Sequence, residues 1–146
     1  MKKLILLLAA AAILYGLEYT YEQGLSVPDP SPGGQPANDA VLIAYQNRQS
    51  DVQVRGWGTV LRVLPDDLDG SRHQRFILEL DAGPSLLVAH NIDLAPRVDG
   101  LNRGDIVEFY GEYEWNSKGG VIHWTHHDPN RRHIDGWLKH RGRTYQ

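Results

Sequence analysis

From Asp51 onward the hydrophobic pattern of this chain has a period of two. The stretch Asp51 to Leu64 (DVQVRGWGTVLRVL) alternates apolar with polar residues and carries Gly56 and Gly58. Alternation of this kind sends successive side chains to opposite faces of a strand, and glycines within a long strand mark a bend or a bulge. A long strand with a bend built into it suits a sheet that curls and closes on itself.

The rest of the pattern follows from that strand. Pro65 to Gly70 (PDDLDG) is a turn by its chemistry. His73 to Leu80, a tight turn at Ala82-Gly83, and Ser85 to His90 read as a first hairpin. Asn91 to Gly104 reads as a connector, and Asp105 to Trp115 pairs with Val121 to Thr125 across the Asn116–Gly120 turn. Ahead of the strands, Asn38 or Asp39 can cap a short helix running to about Gln49, with Val41, Leu42, Ala44 and Tyr45 as its apolar stripe. One long bent strand, a hairpin, a connector and a second hairpin is the strand order of an OB-fold. The expected fold is therefore mainly β: a small five-stranded Greek-key barrel with a short N-terminal helix. Leu101 to Tyr113 (LNRGDIVEFYGEY) resembles the lead-in to the fourth strand of many OB-folds, where a polar Gly-Asp turn opens into alternating apolar residues. An SH3-like barrel and an open β-sandwich are the alternatives.

Upstream, the chain has a different character. Met1-Lys2-Lys3 is followed by fourteen apolar or small residues, Leu4 to Leu17, the layout of a secretory signal that is short for a membrane span. Retention as an anchor is the alternative to cleavage, because no small-x-small site follows the run cleanly. With Lys2 and Lys3 on the cytoplasmic side, the domain is expected in the periplasm or beyond, with the inner membrane as a partner through this segment. Tyr19 to Pro36 holds four of the eight prolines and three glycines, the composition of a semi-extended tether. The expected division is residues 1–18 as signal or anchor, 19–37 as tether and 38–146 as barrel.

Charge and cysteine content narrow the chemistry. The net charge of −3 argues against coating nucleic acid by bulk charge. The segment Trp115–Gln146 nevertheless has six basic residues against two acidic ones, and five of the seven histidines. With no cysteine, disulfides, thiolate nucleophiles and cysteine-ligated metals are excluded.

Strand pairing sets which side chains share a face of the sheet. A first hairpin turning at Ala82-Gly83 sets Arg75 opposite His90 and Ile77 opposite Val88. Phe76, Leu78, Leu80, Leu87 and Ala89 then face the core, and His73, Arg75, Ile77, Glu79, Val88 and His90 face outward. In the second hairpin Val107, Phe109, Ile122 and Trp124 suit the core, with Glu108, Glu112, Glu114, His123 and Thr125 outside. In an OB barrel the third and fifth strands are parallel neighbours, so His90 and His123 can approach. The expected outward cluster is His73, Arg75, His90, Asn91, Glu112 and His123, with His126, His127 and Asp128 just beyond the last strand.

Two chemistries fit that cluster. Imidazoles can act as general acid and base on a phosphodiester, with Arg75 clamping the phosphate. Alternatively, His126, His127 and Asp128 have the donor types for a divalent metal such as zinc or magnesium, or His126 and His127 simply end a strand. Trp115 and Trp137 are candidate stacking platforms, and Trp124 a core residue by phase. Arg131 and Arg132 belong to a basic C-terminal stretch that can contact phosphates, or that packs Ile134, Trp137 and Leu138 on the barrel. Asp66, Asp67 and Asp69 lack the spacing of an EF-hand loop and read as turn residues.

Four motifs, HQRF (His73–Phe76), HNID (His90–Asp93), GEYEWN (Gly111–Asn116) and HWTHHDP (His123–Pro129), make the chain resemble a family of small exported bacterial proteins with no established activity. The resemblance spans Ala44 to Gln146 and implies domain extent rather than chemistry. The leading functional expectation is a hydrolase of phosphodiesters, most simply a small nuclease acting on DNA. His73, His90, His123 and Glu112 would be its catalytic groups, and Arg75, Asn91, Trp115, Trp137, Arg131 and Arg132 its substrate contacts. The competing expectations are a non-catalytic barrel that binds oligonucleotide, oligosaccharide or an envelope partner, and a histidine-based metal-binding protein.

Overall fold

The long bent strand exists and organises the molecule. In the computed structural model, which describes residues 37–146, β1 (Val52–Val63) pairs antiparallel with β4 (Ile106–Glu114) from Val52 to Thr59. From Thr59 to Val63 it pairs instead with β2 (His73–Glu79), with a β-bulge between Val60 and Arg62. Gly56 and Gly58 sit where neighbours come closest: a Cβ on Gly56 would stand 2.7 Å from the Phe109 ring, and one on Gly58 2.8 Å from the Glu79 carbonyl oxygen. The leader, and all of the tether except Ala37, lie outside the described residues. Among the described residues no helix is long and apolar enough to cross a membrane.

β3 (Leu86–Asn91) returns antiparallel to β2, and β5 (Val121–His123) lies antiparallel to β4. Parallel pairing of β3 with β5, through Leu87–Val121 and Val88–Ile122, completes the circuit β1-β2-β3-β5-β4-β1. This is the five-stranded closed barrel expected from the strand order. Two strands are additional: β6 (Trp137–His140) pairs antiparallel with β4, and β7 (Arg143–Tyr145) with β6. Their alternation runs only three or four residues, too short to separate from a packed tail in the sequence. The interior is built from Val54, Val60, Phe76, Leu78, Leu86, Val88, Val107, Phe109, Tyr113, Ile122 and Leu138.

α1 (Asp39–Gln46) packs Val41 and Ala44 into this core, with Leu42 and Tyr45 at its margin. Asn38 does not cap it. Its side chain instead accepts from the Trp57 N–H at 2.9 Å and donates to Asp81 at 2.6 Å, tying the start of the helix to β1 and to the β2–β3 turn.

The first hairpin corrects the expected register by one residue. Arg75 pairs with Ala89 and Gln74 with His90, because the turn is a wider loop between Glu79 and Leu86 rather than a two-residue turn at Ala82-Gly83. Pro84 has no N–H with which to close a tight turn, while Asp81 accepts from the Ala82 N–H and from Asn38. A slip of one residue exchanges the two faces of β3. Leu86, Val88 and His90 therefore point inward, and Leu87 and Ala89 outward.

The phase is also broken after β5. Trp124 adopts a left-handed backbone (φ 52°), so Thr125 is buried in its place and the indole swings to the surface. The expectation of a core Trp124 is corrected by this one residue. Left-handed backbone is costly for a bulky side chain and persists where surrounding structure enforces it. Gly136 provides that enforcement: its N–H donates to the His126 carbonyl, and any Cβ there would collide with the carbonyls of Trp124 and Tyr110.

Candidate functional site

At the end of the seam between β3 and β5, a cleft of about 150 Å³ is lined by His73, Ala89, Asn91, Leu94, His123, Trp124 and His126. His73 and Asn91 are opposite one another across the β2–β3 ladder, and His123 ends β5. His126 arrives from the loop that the left-handed Trp124 sets in motion. Three imidazoles from three elements thus meet at one opening.

Their hydrogen bonds leave particular atoms free. His73 Nδ1 lies 2.7 Å from the Ser71 carbonyl, and His126 Nδ1 2.7 Å from the His127 carbonyl. A carbonyl can only accept, so Nδ1 carries the proton in both rings and Nε2 keeps its lone pair when the ring is neutral. Asn91 Oδ1 accepts from the Asp93 N–H at 2.9 Å, leaving its amide N–H groups for a ligand. Asp93 in turn holds Arg72 through an ion pair of 2.6 Å and accepts the Arg72 N–H, which keeps its carboxyl below the usual range.

The third imidazole belongs to a carboxylate cluster. Glu112 faces His123 across the β4–β5 ladder, as the alternation implied, and Glu114 follows on the same face. His123 Nε2 stands 3.3 Å from Glu112 and 3.7 Å from Glu114. His133 adds its Nδ1 at 3.5 Å from Glu112 and stacks on Trp124 with ring centres 3.7 Å apart and planes 14° from parallel. Glu114, His133 and Trp124 were not among the expected site residues. The β4 alternation pointed to Glu114; nothing in the local sequence pointed to the other two, which reach the site through the loop.

Several expected site residues lie elsewhere. His90 is wholly buried beneath the cleft, where Nε2 donates to the Pro96 carbonyl at 3.0 Å and Nδ1 accepts from the Thr125 hydroxyl at 2.8 Å. Burial pushes its pKa down to about 4, with the neighbouring His126 and His73 acting in the same direction. Beside it, buried Gln74 exchanges two hydrogen bonds with the Val98 backbone, so these polar groups tie the β3–β4 connector to the barrel end. Arg75 donates to the Pro65 carbonyl and is absent from the cleft lining.

Asp128, expected as a metal ligand, is committed to its loop. Its carboxylate accepts the N–H groups of Asn130, Arg132 and His133, which hold its pKa below the usual range. Asp135 likewise accepts the Asp128 N–H and pairs with His127 at 2.9 Å, and its pKa is lowered for these reasons. The trio His126, His127 and Asp128 therefore does not converge on one point, since the chain turns to satisfy backbone donors first. Arg131 and Arg132 are exposed on that loop, outside the cleft lining. Trp115 packs at the margin of the core with Arg48 over its ring, 5.5 Å from the centroid. Trp137 lies on β6 against Tyr110 and Arg55, beside a separate hollow lined also by Glu108 and Lys139.

Fold and site together define a closed five-stranded OB-type barrel with a histidine-lined cleft at its β3–β5 seam. The chain belongs to the family described as protein of unknown function (DUF3465), whose match covers residues 32–146. No curated protein matches it.

Proposed function

We propose that the cleft hydrolyses phosphodiesters, with single-stranded DNA the simplest substrate and His73 and His126 as the acid–base pair. The observation that carries this reading is the pairing of two imidazoles at one opening, each fixed through Nδ1 by a backbone carbonyl and each with Nε2 uncommitted. Proton transfer needs one ring to take a proton from the attacking water and another to give one to the leaving oxygen, and rings held in one orientation serve both steps. The free amide of Asn91 suits a non-bridging phosphate oxygen, and Trp124 offers an aromatic edge to a neighbouring base or sugar. A cleft of about 150 Å³ takes one phosphodiester group and leaves its substituents outside, which favours a polymer over a small metabolite. On this reading the place of action is the periplasm or beyond, from the pattern of Lys2, Lys3 and the apolar run after them.

The test is turnover of bis(p-nitrophenyl) phosphate and of single-stranded DNA by the purified full chain. His73→Asn and His126→Asn are each expected to lower kcat by about 10²- to 10⁴-fold with an unchanged melting profile. Equal turnover in wild type and both variants would remove the acid–base pair. Salt-dependent DNA binding without any cleavage would make the protein a binding barrel instead.

A further inference from the structure

Among the described residues, the cleft lining contains no lysine or arginine, although the proposed substrate is an anion. Behind the His123 side chain that lines it, however, two carboxylates share a single imidazole. Glu112 and Glu114 project from the same face of β4, and His123 Nε2 lies between them, shielded from water and without a hydrogen bond of acceptable geometry. An imidazolium engaged in ordinary ion pairs would aim its N–H at one carboxylate oxygen; this nitrogen is aimed at neither. Among the described residues, Glu112, Glu114 and His123 form the group of three whose ligand atoms all lie within 4.8 Å of one another.

We infer that Glu112, Glu114 and His123 bind one divalent cation of borderline softness, zinc by preference, beside the cleft that His123 lines. The spacing carries the argument. Donors about 2.1 Å from a tetrahedral zinc stand about 3.4 Å from each other. The observed separations from His123 Nε2 are 3.3 Å to Glu112 and 3.7 Å to Glu114. One nitrogen and two oxygen donors favour zinc over magnesium, which takes oxygen donors and retains its waters. His133, whose Nδ1 is 3.5 Å from the Glu112 carboxylate and whose ring is held by Trp124, stands where an outer-layer partner orients a ligand. Three protein donors leave a fourth position for water or a phosphate oxygen. Of the three donors, His123 also lines the cleft.

The site stands apart from the hydrolase reading, because metal binding is measurable without turnover. The full chain, purified without a polyhistidine tag and stripped with EDTA, is titrated with zinc chloride by calorimetry, and with cobalt(II) by visible absorption. We expect one zinc per chain and the intense visible bands of four-coordinate cobalt. Glu114→Gln and His123→Asn should each weaken zinc binding tenfold or more, whereas His127→Ala should leave it unchanged. Glu114→Gln, at a partly exposed strand end, is the variant whose fold is least at risk, and its melting curve in EDTA checks this. Absence of zinc binding by the wild type, or equal affinity in Glu114→Gln, overturns the site. Cleavage by a wild type that binds no zinc in the titration would sink the metal alone; zinc binding with no cleavage would sink the hydrolase alone.

Discussion

His90 should make the barrel acid-sensitive in a range where its carboxylates do not. The side chain has no solvent exposure, donates to the Pro96 carbonyl and accepts from Thr125, so the fold holds the neutral ring and its pKa falls to about 4. An unfolded histidine titrates near 6.5. Below that pH the unfolded chain takes up a proton that the folded chain refuses, and stability declines until the pH reaches the folded value. At about 1.4 kcal/mol per pKa unit, the loss is about 2 kcal/mol between pH 7 and pH 4.5 and about 3 kcal/mol once both states are protonated. The lowered carboxyls of Asp93, Asp105, Asp128 and Asp135 act in the other window: their stabilisation is present above the ordinary carboxylate pKa and lost only as pH falls below it. Urea unfolding at half-unit pH steps, for wild type and His90→Gln, separates the two. Glutamine retains an N–H for the Pro96 carbonyl and does not titrate, so the variant is less stable at pH 7 but has the shallower slope from pH 6.5 to 4.5. Parallel curves for the two proteins over that interval would refute the account of His90 as a buried neutral ring.

Two other substitutions probe the architecture around the cleft. Arg75→Ala should change kcat/KM for bis(p-nitrophenyl) phosphate by less than about twofold, since the guanidinium is spent on the Pro65 carbonyl; a hundredfold drop would restore it as a phosphate clamp. Gly136→Ala should cost about 3 kcal/mol, read as a shift in the urea midpoint, because the added methyl displaces the carbonyls of Trp124 and Tyr110 and unseats the loop bearing His126 and His133.

The barrel was legible because its signals are local and repeated. Alternation from Asp51 to Leu64, glycines at the bend and two turn-punctuated hairpins determine the strand order, and the strand order determines the closure. That Glu112 and His123 share an outer face was legible for the same reason, from the alternation on either side of the Asn116–Gly120 turn, and the structure sets them opposite one another. The failures come from single residues that change parity. Pro84 and Asp81 widen one turn by a residue and take His90 from the surface into the core. Trp124 in a left-handed conformation sends itself outward and Thr125 inward. Neither event alters composition or periodicity by an amount a sequence window can register, yet the first takes a candidate site residue into the core and the second brings an unexpected one to the cleft. Asp128 escaped for a different reason: carboxylates that hold a loop and carboxylates that hold a metal look alike until the competing backbone donors are counted.

The parallel contact of β3 with β5 rests on two residue pairs, the shortest ladder in the barrel circuit, and the cleft opens at its end. Asn91 and His126 stand on opposite banks of that join. A molecule gripping both would act as a rivet across the one place where the cylinder is barely fastened. Occupancy should therefore slow amide hydrogen exchange along Leu86–Asn91 and Val121–His123 as well as at the contacting residues, so that filling the cleft and tightening the barrel become the same event.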